Sequence, residues 1–250
     1  MTTVIILIII SFCTATIDLI FGMGFGLTMT PILLLLHFEP HQIVPSLLLA
    51  SLAGNILSPF FHHRLKNADF NIRSPHLKIA LIVGLLGALG SFIGAITAIN
   101  ISDLVLTVYI GTLIVAIGLL LLVTKTRTTS FKWYKLTGLG VFGSFNKGIS
   151  GSGFGPIITT GLIMMKTDEK VAVSIQSFSE LFVSLAGGLT FISLGTQMEW
   201  RLTLPLVAGV VLSTPVAALI VQKANNKKLR WAIAYVTIIL GIITFLTLFF

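Results

Sequence analysis

FGMGFGLTMTP, residues 21–31, and SGSGFGPIITT, residues 150–160, carry the same Gly-x-Gly-Phe-Gly pentapeptide, at Gly22–Gly26 and Gly151–Gly155. Both sit in strongly apolar surroundings. Glycine loosens a helix and lets another group approach the backbone closely. In hydrocarbon such a break is tolerated only where protein buries it or where it lines a polar cavity. These two stretches therefore raise two questions at once, whether the chain is a membrane protein and what its breaks surround.

Composition answers the first. Of 250 residues, 55% are hydrophobic and 10% charged, and the mean hydropathy is +1.04. A soluble domain carries about 25% charged residues, so this chain has too little polar surface to face water. The net charge of +8 does not indicate a nucleic-acid partner. Its Lys and Arg cluster in short segments between apolar runs, the pattern of cytoplasmic membrane loops. The one cysteine, Cys13, excludes an internal disulfide framework and a multi-Cys metal site. The first apolar run, Val4 to Ile20, has no basic residue before it and reads as a retained segment, not a signal peptide.

The fold expected is all-α, a polytopic integral membrane protein with about eight hydrophobic segments. Six are long enough to cross: Gln42–His62, Ile79–Ile99, Leu104–Val123, Glu169–Leu194, Leu202–Val221 and Trp231–Phe250. The other two, Val4–Phe38 and Tyr134–Met165, are interrupted by the glycine motifs. In the second, the pieces flanking the motif should hold only about 10 to 14 residues, too few to span alone. New short helices are expected to start at Leu27 and Pro156.

A shift of 129 positions superimposes the halves. Gly22, Gly24, Phe25 and Gly26 fall on Gly151, Gly153, Phe154 and Gly155, and Glu39 falls on Asp168. The chain reads as one membrane domain over residues 1–250, with repeat 1 at about 1–124 and repeat 2 at about 133–250. If each interrupted stretch is a Gly-broken helical hairpin that enters and leaves by one face, each half has three crossing helices. An odd number makes the repeats inverted, and nearly all basic loops then share one side, as the positive-inside rule requires.

The breaks then have a use. Helix N-termini after each motif would point their free N–H groups and positive dipole ends into a shared space, an anion site. Substrate contacts are expected from Gly24, Phe25, Gly26, Gly153, Phe154 and Gly155, with Lys147, Ser150, Ser152 and Gln176 adding side chains. Asp18 and Glu180 are candidates for exchanging a coupling proton. Under the shift Asp18 meets Lys147, so equivalent positions carry opposite charge. An ion pair of Lys147 with Glu180 or Asp18 is the structural alternative. Ser51, Asn55 and Asn146 are candidate cavity linings, although buried Ser and Asn also join membrane helices. His62, His63 and His76 are expected to be solvated beside a basic loop. Trp133, Trp200 and Trp231 are expected at the interfaces.

These features taken together resemble the sulfite exporter TauE/SafE family, also called the toluene-sulfonate uptake permeases. The likeness rests on the long interrupted first segment, the first Gly-rich motif running into LTMTPILLLL, the basic loop after the next helix, and the second Gly-rich motif about 130 residues on. It covers essentially the whole chain. It implies a multi-pass carrier in the bacterial inner membrane that moves a small anion such as sulfite or an organosulfonate. The family's consecutive glycines are here Gly24-Phe25-Gly26 and Gly153-Phe154-Gly155. Pro31 follows the first motif, while Thr160 takes the matching place in the second and Pro156 comes earlier. The two Phe rings are expected to narrow the cavity and bias which anion fits.

The expected partners are the small anionic substrate, protons and the lipid bilayer, with no cofactor; a homo-oligomer is compatible with this reading. A carboxylate carrier of oxalate or lactate type and an anion channel are the nearest alternatives. An enzyme is not expected. Gly148-Ile149-Ser150-Gly151 matches the rhomboid nucleophile pattern, but no His follows residue 76 to act as its base.

Overall fold

The computed structural model describes residues 2–22, 25–123 and 132–225. Among these the regular structure is all helix, with no strand. The helices are α1 (Thr2–Phe21), α2 (Phe25–Leu35), α3 (Pro40–Arg64), α4 (Pro75–Ile99), α5 (Asp103–Val123), α6 (Trp133–Ser150), α7 (Phe154–Met164), α8 (Glu169–Ser193) and α9 (Trp200–Lys223). α1, α3, α4, α8 and α9 are each long and apolar enough to cross a membrane. The expected segment Trp231–Phe250 lies outside the described residues, as does the join between the halves.

Both interrupted stretches are broken at the glycines, but unevenly. α1 has 20 residues and α6 has 18, where 10 to 14 were expected for the second stretch, and α2 and α7 have 11 each. At 1.5 Å per residue, α1 is about 30 Å long and α7 about 16 Å. Each stretch is thus a long helix with a half-length return. α7 folds back along α6, since Gly143 faces Phe154 and Ile157 while Gly161 faces Leu139. The reversal runs through Gly151 (φ 71°) and Gly153 (φ 95°), left-handed conformations that a side chain would strain. α2 and α7 begin at Phe25 and Phe154, two residues before the starts expected. Pro156 still lies in the first turn of its helix, where no backbone donor is needed.

Helix bounds repeat at one spacing. α2 and α7 are displaced by 129 positions at both ends, and so are α3 and α8. The left-handed residues repeat as well: Gly22 with Gly151 (φ 69° and 71°), His37 with Lys166 (63° and 65°), and Lys66 with Gly195 (59° and 78°). Packing obeys the same exchange. α4 packs most extensively on α6 and α8, and α9 on α1 and α3.

Directions follow from the contacts. Gly187 and Gly188 lie on Leu48 and Leu49, while Ser177 hydrogen-bonds Asn55 and Ser58, so α3 and α8 run antiparallel. α4 runs parallel to α8 and α6. Gly84 and Gly87 meet Ser179 and Val183, and Gly90 and Gly94 of the Gly-x-x-x-Gly motif meet the carbonyls of Val141 and Phe145. Such close approach of backbones is how apolar helices associate where lipid supplies no hydrophobic drive.

The helix ends sort by charge. Lys170 Nζ donates to the Gln222 carbonyl (2.8 Å) and Asn67 Nδ2 to the Ala218 carbonyl (3.0 Å). These contacts gather the α3–α4 loop, the α7–α8 turn and the end of α9 at one pole, with Arg64, Lys66, Arg73, Lys78, Lys166, Lys170 and Lys223. At the other pole His41 bridges Asp103 Oδ1 (2.6 Å) and the Ala98 carbonyl (3.0 Å). Arg201, in the first turn of α9, is also on this side. The positive-inside rule makes the basic pole cytoplasmic. In a Cys13→Ser background, Lys66→Cys and Lys166→Cys are expected to react with an impermeant maleimide only from the cytoplasmic side, and Gln197→Cys only from the other. Labelling of all three from one side would refute this arrangement.

Candidate functional site

The two breaks touch. A methyl group added at Gly26 would fall on the Gly151 carbonyl and on Ser152, and Thr159 Oγ1 donates to the Gly22 carbonyl at 3.2 Å. The return helices α2 and α7 therefore overlap antiparallel at their starts, with Gly22 beside Thr159 and Gly26 beside the Gly151–Ser152 turn.

The two helix starts are not equally open. At α2, the N–H of Phe25 donates to the Asp18 carboxylate. At α7, Gly153 is the N-cap and no side chain caps the helix. Ser152, the residue before that cap, is 3% exposed and its hydroxyl has no hydrogen-bond partner. A buried polar group without a partner is costly and calls for an explanation. Here it stands beside free N–H groups at the positive end of a helix.

Next to this opening lies a buried ion pair. Lys147 Nζ is 2.5 Å from Glu180 Oε1, with both side chains only 4–5% exposed. The ammonium also reaches Ser51 Oγ at 3.1 Å and the Gly151 carbonyl at 3.5 Å. Gln176 Nε2 donates to Glu180 Oε2 at 2.7 Å, using the shared helix face expected of these residues. Asp18 is within electrostatic reach of both Glu180 and Lys147 and is only half-buried. Ser51 and Glu180 each stand eleven positions into a 25-residue helix, 129 positions apart. The centre is therefore two equivalent pairs, Ser51 with Glu180 and Asp18 with Lys147. The identity of Ser51 as the counterpart of Glu180 was available from the 129-residue shift.

Other expected site residues have different employment. Ser150 Oγ bonds the Asn146 carbonyl (2.7 Å) and accepts from the Ser152 N–H (3.2 Å), bracing the break itself. Asn146 accepts from Tyr109 Oη (2.6 Å) and donates to the Phe142 carbonyl, so it faces α5. Asn55 accepts from Ser177 Oγ (2.9 Å) and joins α3 to α8. Phe25 and Phe154 do not narrow a cavity. Their rings are buried in separate apolar clusters, with Met29, Leu47 and Leu206 and with Leu136, Ile158 and Leu162 respectively, and so anchor the two tips. Gly155 lies in the first turn of α7. Gly24 lies outside the described residues. His62 departs from the solvated position expected, being 1% exposed and held by Asn67 Nδ2 at 3.0 Å. Trp200 is half-exposed at the start of α9.

Apolar crossing helices, broken hairpins that meet, and charged groups at their junction are the build of a secondary transporter. The chain belongs to the Sulfite exporter TauE/SafE family, whose model matches residues 7–244. It is a multi-pass membrane transporter, and the family is one of transporters, not enzymes. It is similar to "Probable membrane transporter protein YtnM" of Bacillus subtilis (strain 168), with 26% identity over 89% of this chain and 76% of that protein. It is also similar to "Probable membrane transporter protein MJ0441" of Methanocaldococcus jannaschii, with 23% identity over 95% and 93% of the two chains. No solved structure matches it.

Removing one member of a buried ion pair leaves an uncompensated charge, costing about 3–5 kcal/mol, whereas removing both is far milder. Lys147→Met is expected to lower unfolding stability in detergent by about that amount. Lys147→Met/Glu180→Gln should recover more than half of the loss. A double variant no more stable than the single one would show that the pair does not hold Glu180 in place.

Proposed function

We propose that this chain is a proton-coupled carrier of a small anion, such as sulfite or an organosulfonate, acting in the bacterial cytoplasmic membrane. The observation that carries this reading is the position of Lys147. It is tied to a carboxylate, yet lies beside the uncapped start of α7 and the unpartnered hydroxyl of Ser152. With Glu180 ionised, the ammonium is engaged. A proton on Glu180 removes the partner charge, and Lys147 turns to an anion held by Ser152 Oγ and the N–H groups of Gly153, Phe154 and Gly155. The α2 end contributes only when Asp18 is also protonated and releases the Phe25 N–H.

Residues about 1–124 and 133–250 act in this reading as inverted repeats. The antiparallel course of α3 and α8, equivalent at 129 positions, supports that relation. Alternating access then follows from rocking one set of packed helices against the other around the junction. The sealing of Lys147 and Glu180 favours a carrier over a channel, which would need a continuous aqueous path.

The test is flux into proteoliposomes, comparing sulfite, methanesulfonate, oxalate and lactate with and without an imposed proton gradient. Accumulation of at least one of them under an inwardly directed proton gradient is expected. A hydrogen bond to a charged group contributes about 1.5–3 kcal/mol, so Ser152→Ala should raise the half-saturating concentration about tenfold or more. Gly153→Leu should abolish flux. If Lys147→Met and Gly153→Leu proteins move the anion at the unmodified rate, the site lies elsewhere.

A further inference from the structure

The charge count at the junction says more than that a proton is involved. Two carboxylates, Asp18 and Glu180, face one ammonium, Lys147. With all three ionised the centre carries one net negative charge. Among the described residues, the surrounding helices bring no further charge to it. α2 and α7 have no ionisable side chain. Those of α3 (His41, His62, His63, Arg64), α4 (His76, Lys78), α8 (Glu169, Lys170) and α9 (Arg201, Lys223) lie in the outer turns. Lys135 lies in the first turn of α6. On α5, Asp103 binds His41 at the far pole, and Tyr109 donates to Asn146. Cys13 of α1 is exposed on the outer surface.

A net charge at membrane depth is costly, so states that move during transport should be neutral. The empty centre is neutral with one proton shared by its carboxylates and Lys147 paired with the other. A monoanion added to that state leaves one net negative charge. A second proton, on the remaining carboxylate, restores neutrality and frees Lys147 for the anion. A dianion would need a third protonatable group, and the centre has only two.

We infer that this carrier is electroneutral and selects monoanions, moving one proton with each. This rests on the carrier reading given above. The proton comes from water on one side and returns to water on the other, with no bond made to the anion. Monoanionic sulfonates and hydrogensulfite satisfy the count. Sulfite and oxalate in their dianionic forms do not.

The decisive measurement uses the unmodified full chain in proteoliposomes, with methanesulfonate as the probe and potassium with valinomycin to set the membrane potential. An accumulation ratio of about tenfold per unit of pH gradient is expected, unchanged by a potential of either sign. Oxalate at neutral pH should compete weakly or not at all. Accumulation driven by potential alone would overturn electroneutrality, and oxalate competing as well as methanesulfonate would overturn the selectivity. Asp18→Asn/Glu180→Gln gives a second reading, because Lys147 then remains charged without titratable partners. Its empty centre would carry one net positive charge, so it should exchange labelled methanesulfonate across the membrane without net accumulation, and accumulation still driven by protons would refute the assignment of these carboxylates. If none of the tested anions moves at all, it is the carrier reading that fails.

Discussion

An N–H group with no acceptor in hydrocarbon costs several kcal/mol, and this chain begins two helices inside its own core. Everything around the junction follows from how those two starts are satisfied. At α2 the Asp18 carboxylate takes the Phe25 N–H. At α7 no side chain does so, and the neighbouring Ser152 hydroxyl is unpartnered too. The two tips are pressed together closely enough that Gly26 has no room for a methyl group. One tip is filled from within and the other is not.

The same constraint explains why the centre is charged in so uneven a way. A strictly symmetric pair of repeats would place identical groups at equivalent positions. Here Asp18 answers Lys147 and Ser51 answers Glu180, so the repeat supplies the geometry and point differences supply the charge. Lys147 at 2.5 Å from Glu180 is stable only because both are hydrogen-bonded further, the lysine to Ser51 and the glutamate to Gln176. A buried pair with satisfied remainders is held firmly, yet a single proton on the carboxylate undoes it. In the function proposed above, this is the property that lets the pair switch between a closed resting state and one that accepts an anion.

Much of the fold was legible before any coordinates. Hydropathy marked the crossing segments, because a 20-residue apolar run has few alternatives to a membrane helix. The spacing of the two pentapeptides predicted equivalent breaks, and α2 with α7 reproduces that spacing at both ends. Breaks are readable because glycine adopts φ near 70° more easily than any other residue, as Gly22 and Gly151 do. Other features were misjudged. α6, at 18 residues, exceeds the 10 to 14 expected beside the second break, while α7 at 11 meets it; polar residues such as Asn146 and Lys147 depress the local hydropathy of α6 although their side chains are satisfied within the bundle. The Phe rings were assigned to the cavity because they adjoin the glycines, but on a helix one residue's step turns a side chain by about 100°.

The sequence by itself determined that the chain crosses a membrane repeatedly, that it breaks at two equivalent points, and which ionisable groups lie deep within it. Periodicity and composition are properties of the chain, and the bilayer is a strict enough solvent to translate them into helices. Only the tertiary structure decided which of those groups meet. It set Lys147 against Glu180, gave Asp18 the start of α2, spent Ser150 on the break itself, turned Asn146 to Tyr109 of α5, and left Ser152 without a partner. Such choices depend on the rotation and approach of helices far apart in the chain. A one-dimensional pattern contains each helix's face but not the neighbour that face will find.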